Sequence, residues 1–140
     1  MIKSTCSYLC LLSILALSCN PQKELVAEIA SPEDTHQIEF YVSDKGTLHY
    51  LVKRSGEIVI DTSAMHFDFK DQPSLKGNLA LKSYNINSVD ENWEMPWGEQ
   101  RMVRNRYNEL ILKLEETKKP NRPLNIYFKA YEDGIALRYE

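Results

Sequence analysis

Leu110-Ile111-Leu112-Lys113-Leu114-Glu115, followed after a polar break by Leu124-Asn125-Ile126-Tyr127-Phe128-Lys129-Ala130, decides the fold class. In each run an apolar residue recurs at every second position, the period of a strand that buries one face. Asp133-Gly134 then supplies turn chemistry, and Ile135, Leu137 and Tyr139 resume the alternation. Three consecutive strands joined by short turns predict an antiparallel arrangement.

Upstream, Ile38, Phe40 and Val42 alternate with polar or aromatic neighbours, Ser43-Asp44-Lys45-Gly46 marks a turn, and Leu48, Tyr50 and Val52 continue the pattern as a hairpin. Ser55-Gly56 turns the chain again into Ile58-Val59-Ile60. No window longer than about ten residues after the N-terminal segment sustains the spacing of a buried helix face. The stretch 87–101 is polar and aromatic without a period, and reads as a long ordered loop. The expectation is an all-β, antiparallel β-sandwich. Because Arg138-Tyr139-Glu140 sits within a strand with no cap or tail, the sandwich is expected to be incomplete at its C-terminal side.

Composition narrows the function. The 140 residues carry 17 basic and 20 acidic side chains, a formal charge of -3, which lacks the basic excess that phosphate contacts require and argues against nucleic acid. All three cysteines, Cys6, Cys10 and Cys19, fall within the first nineteen residues, so neither a disulfide framework nor a thiolate metal site is expected. The same segment opens with Lys3, runs apolar from Tyr8 to Leu17 and ends in Ser18-Cys19, the layout of a secretory signal. It falls well short of the roughly 20 apolar residues that cross a bilayer. Leu15-Ala16-Leu17-Ser18-Cys19 is similar to a bacterial lipobox, the alternative being an ordinary signal peptide with Cys19 incidental. Residues 1–18 are therefore read as a signal peptide of lipoprotein type, Cys19 as the lipidation site, 19–35 as a tether and 36–140 as the β-sandwich domain. Removing 1–18 deletes one base and no acid, leaving 16 against 20, a charge of -4. The expected location is the periplasm or outer membrane, with a lipid anchor on the membrane.

Chemistry-bearing residues cluster in two places. Asp90-Glu91-Asn92-Trp93-Glu94-Met95-Pro96-Trp97-Gly98-Glu99 holds both tryptophans of the chain beside four acids. Indole faces with neighbouring carboxylates suit a sugar, whose C–H face stacks while its hydroxyls meet charged acceptors, and paired acids could also serve general acid–base catalysis. The alternative is that Trp93 and Trp97 plug the sandwich or pack on a neighbouring domain. Arg104-Asn105-Arg106-Tyr107-Asn108-Glu109 forms the second cluster, more consistent with a structural network. His36, His49 and His66 match no metal spacing, and neither a Gly-x-Ser-x-Gly elbow nor a Gly-x-Gly loop occurs.

Asp90-Glu91-Asn92-Trp93 with Pro96-Trp97-Gly98-Glu99, then Arg104 to Leu110, then Ala130-Tyr131-Glu132-Asp133-Gly134-Ile135-Ala136-Leu137-Arg138-Tyr139-Glu140, resembles the N-terminal domain of glycoside hydrolase family 97, the alpha-glucosidases and alpha-galactosidases of Bacteroidetes. Glu94-Met95 and Leu137 depart from its commonest residues. The resemblance implies a galactose-mutarotase-like supersandwich placed before a catalytic (β/α)8 barrel, with α-linked glycosides as substrates and calcium as cofactor. It places the catalytic and calcium-binding acids beyond Glu140, so it assigns no catalytic or metal residue here, and it leaves glucosidase and galactosidase, inverting and retaining, undecided. Trp93, Trp97, Glu99, Arg104, Asn105, Tyr107, Asn108 and Glu109 become the candidate sugar-facing or domain-interface residues. A stand-alone carbohydrate-binding lipoprotein using Trp93 and Trp97 is the competing expectation.

Overall fold

The computed structural model describes residues 23–140, so the signal segment and Cys19 lie outside the described residues. Eight strands form two sheets: β1 (Lys23–Ala30), β2 (His36–Ser43), β3 (Leu48–Arg54) and β4 (Glu57–Met65) in one, β5 (Leu79–Glu94), β6 (Met102–Glu116), β7 (Pro123–Ala130) and β8 (Ile135–Tyr139) in the other. Each sheet is an antiparallel meander in sequence order. The all-β sandwich expected from the alternation is what the structure shows.

The core is the set of alternating positions. Ala27, Ile29, Ile38, Phe40, Leu48 and Val52 from the first sheet meet Leu110, Leu112, Leu114, Leu124, Ile126, Phe128 and Ala130 from the second. Phe128 sits 6.1 Å from both Phe40 and Tyr50 across the interface. Burying each large side chain contributes about 1.5–3 kcal/mol, and each aromatic pair roughly 0.5–1.5 kcal/mol more. The sheets are offset, with β1 over β6 and β2 over β7. β5 therefore overhangs beyond β1, and its inward-facing Tyr84 and Ile86 remain half-exposed.

Two expectations are corrected. Residues 23–30, assigned to the tether, form β1. A bulge between Leu25 and Ala27 breaks the alternation that would have revealed a strand. Residues 87–101, expected as a loop, are mostly strand, with 87–94 continuing β5.

Turn chemistry explains the hairpins. Ser55 and Gly56 both take positive φ, 50° and 83°, as a two-residue hairpin twisting with its strands demands. Gly46 has a tighter constraint. Its φ is 69°, and a Cβ there would lie 2.5 Å from the Leu79 backbone nitrogen and 2.6 Å from its oxygen. Leu79 N–H donates to the Gly46 carbonyl at 3.1 Å and Asn78 N–H to that of Lys45 at 2.9 Å, so the β2–β3 turn is bonded to the start of the second sheet. At the same sheet's rim, Arg122 grips the largely buried Glu116 through Nε and a terminal nitrogen at 2.8 Å each. That guanidinium holds the Glu116 carboxyl below the usual carboxylate range.

Candidate functional site

β5 and β6 run on past the sandwich as a two-stranded ribbon, from the Ser88–Asn108 pair out to Glu94–Met102, closed by a Met95 N–H to Arg101 carbonyl bond of 2.8 Å. Along its β5 strand both faces are wet, so no core selects alternating apolar residues there. Cross-strand polar pairs hold it instead. Arg104 reaches diagonally to Asp90 with two bonds of 2.8 and 2.6 Å, Asn105 donates to Glu91 at 2.7 Å, Ser88 to Asn108 at 2.7 Å and Arg101 to Glu94 at 2.6 Å. The Arg104 guanidinium holds Asp90 below the ordinary carboxylate range.

The ribbon is fixed at its root by the turn after β1. Asn108 donates to the Ala30 carbonyl at 2.8 Å and Arg106 to Glu33 at 2.9 Å. Glu132, in the β7–β8 turn, accepts from Ser31 Oγ at 3.1 Å and from the Glu33 N–H at 2.6 Å. Burial opposes ionisation of Glu132, and its hydrogen bonds outweigh that, leaving its carboxyl lower than usual. His36, buried on β2, completes the joint with Nδ1 3.1 Å from the Tyr131 carbonyl, a structural role.

Strand alternation sorts the candidate residues into three groups. Trp93, Asn105, Tyr107 and Glu109 lie on the outer face of the second sheet, Arg104 and Asn108 on the inner face, and Trp97 and Glu99 in the closing turn. On the outer face Lys129 Nζ stands 3.0 Å from Tyr107 Oη, 4.2 Å over its ring and 3.8 Å from Glu109. Tyr107 is buried against Tyr131, ring centroids 5.0 Å apart. The bond to Tyr107 raises the Lys129 pKa, so the ammonium is firmly protonated. These contacts hold Lys129, Tyr107 and Tyr131 together as one surface.

Trp93 and Trp97 do not share a platform. Trp93, 46% exposed, lies opposite Val103 and borders a hollow shared with Glu33, Tyr131, Glu132 and Asp133 near the ribbon root. Trp97, 81% exposed, lines a separate hollow of about 460 Å³ with Glu94, Met95, Pro96, Gly98 and Arg101. Three of the four acids of the stretch, Asp90, Glu91 and Glu94, are bonded to Arg104, Asn105 and Arg101, and Asp90 is shifted opposite to what a general acid needs. Among the described residues, no three His, Cys, Asp or Glu side chains gather where they could hold a metal ion. Glu33, Lys129, Tyr131 and Glu132 were not singled out from sequence as site residues. Of these, Tyr131 and Glu132 lie within the Ala130 to Glu140 motif, while Glu33 and Lys129 lie outside all of the motifs.

The architecture is that of a β-sandwich module borne by glycoside hydrolases. It superposes with a TM-score of 0.75 on a glycoside hydrolase family 97 enzyme from Pseudoalteromonas sp. strain K8, solved in complex with panose, at 25% identity over 81% of this chain and 17% of that one. A beta-arabinopyranosidase shares the fold, with a TM-score of 0.69 and 20% identity over 81% of this chain and 18% of its own. A retaining alpha-galactosidase of Bacteroides thetaiotaomicron is 29% identical over 139 residues, 99% of this chain and 19% of that protein. The glycosyl-hydrolase 97 N-terminal family model matches residues 29–140, and the chain belongs to that family. It spans less than a fifth of the length of these relatives.

Proposed function

We propose that this chain is the N-terminal supporting sandwich of an exported, calcium-dependent alpha-glycosidase, which packs on the catalytic (β/α)8 barrel and borders its sugar site with the β5–β6 ribbon. The ribbon carries the reading. An isolated sandwich gains nothing from a polar hairpin that projects past its core, braced by four cross-strand pairs and exposing Trp93, Met95, Trp97 and Met102. An extension that bridges to a second module explains both this bracing and its exposed apolar side chains.

The relatives' length leaves room for such a barrel, and the structural relative's complex with panose points to α-linked sugars as the substrate class. Calcium, on this reading, is held outside residues 23–140. Residues 1–18 direct export, and Cys19 carries the lipid that holds the protein on a membrane. With the barrel's acids absent, the chain incubated with p-nitrophenyl alpha-glucoside or alpha-galactoside and calcium gives no release of p-nitrophenol. Sustained release would overturn the assignment.

A further inference from the structure

The division of the two indoles between separate hollows goes beyond a shared interface, and we propose that Trp97, with Glu94 and Arg101, is a stacking platform for one ring of an α-linked oligosaccharide, while Trp93 meets protein. The inference rests on the glycosidase reading above and deepens it. Gly98, at φ 128°, adopts a backbone conformation that favours glycine and lets the turn present Trp97 outward. At 81% exposure the indole forfeits most of the free energy its burial would give.

Beside it lies an exposed ion pair whose remaining polar atoms are accessible to a ligand. Arg101 Nε donates to Glu94 Oε1 at 2.6 Å, while among the described residues Arg101's terminal nitrogens and the second Glu94 oxygen make no further hydrogen bond. Those groups are donors and an acceptor set next to a flat apolar face. A protein partner covering the hollow would have to desolvate the pair, and a lipid surface would meet the carboxylates of Glu94 and Glu99. A pyranose satisfies both features, since neighbouring hydroxyls bond the charged groups while its C–H face covers the indole.

The chain holds two tryptophans, so its indole N–H region contains two signals that single substitutions assign. Titration of the full chain with maltotriose, and separately with melibiose, is expected to shift the Trp97 signal saturably with a dissociation constant on the order of 1 mM. Trp97→Ala is expected to weaken binding about tenfold, and Trp93→Ala to leave it unchanged. Both positions are surface-exposed enough for the variants to fold, which the dispersion of the remaining amide signals verifies. No shift with either sugar, or loss of binding in Trp93→Ala with Trp97→Ala intact, overturns the platform. If the platform falls while the ribbon of the full-length polypeptide is protected from hydrogen–deuterium exchange relative to this chain alone, the supporting-module reading stands. Sugar binding without that protection confirms the platform and removes the reading beneath it.

Discussion

The backbone of the β2–β3 turn is bonded to the start of the second sheet. Gly46 combines a positive φ with a close approach to the Leu79 peptide, so a methyl group there meets both a conformational penalty and a clash with immobile backbone. Gly56 has the same sign of φ and open space around its Cβ position. Gly46→Ala is expected to lower unfolding stability by about 2–3 kcal/mol, and Gly56→Ala by about 1 kcal/mol. Urea denaturation of the two variants checks the difference, and equal losses would show that Gly46 matters for its φ alone. Sequence reading identified both glycines as turn residues. The contact with Leu79 was not legible, because two turns that touch across sheets leave no periodic trace.

The ribbon carries the functional reading, and charged side-chain pairs brace its backbone ladder. Asp90 is anchored by Arg104, and its native pKa lies below the unfolded value of about 3.9. A carboxylate of depressed pKa contributes its stabilisation above the unfolded value and loses it as pH falls through the native one. Hydrogen exchange in residues 88–94 and 102–108, corrected for intrinsic rates, should therefore accelerate relative to the core strands as pH drops below about 4. Asp90→Asn should show the faster exchange already at neutral pH. Unaltered exchange in that variant would mean that the backbone ladder alone maintains the ribbon. The core strands were legible because burial imposes a period, as Leu110, Leu112 and Leu114 illustrate. Residues 87–94 escaped for the opposite reason, since a strand with two wet faces has no reason to alternate. β1 escaped because its bulge shifts the pattern by one residue. The candidate residues themselves were legible as a group. Their division between two faces and a turn needed the register.

At the scale of the whole molecule, the offset sheets and the projecting ribbon describe a module with surfaces to share. Tyr84 and Ile86 overhang β1, Trp93 and Met102 flank the ribbon, and the outer face presents Tyr107, Tyr131 and Lys129 in a fixed arrangement. Family membership rests on residues 29–140, and the chain covers less than a fifth of each relative's length. The central claim is that the ribbon abuts a catalytic barrel. Hydrogen–deuterium exchange tests it most directly, comparing this chain alone with the full-length polypeptide that the proposal requires. The account predicts that residues 88–108 gain protection only when the barrel is present, while β2, β3 and β7 exchange alike in both. Equal exchange of the ribbon in the two proteins would contradict it.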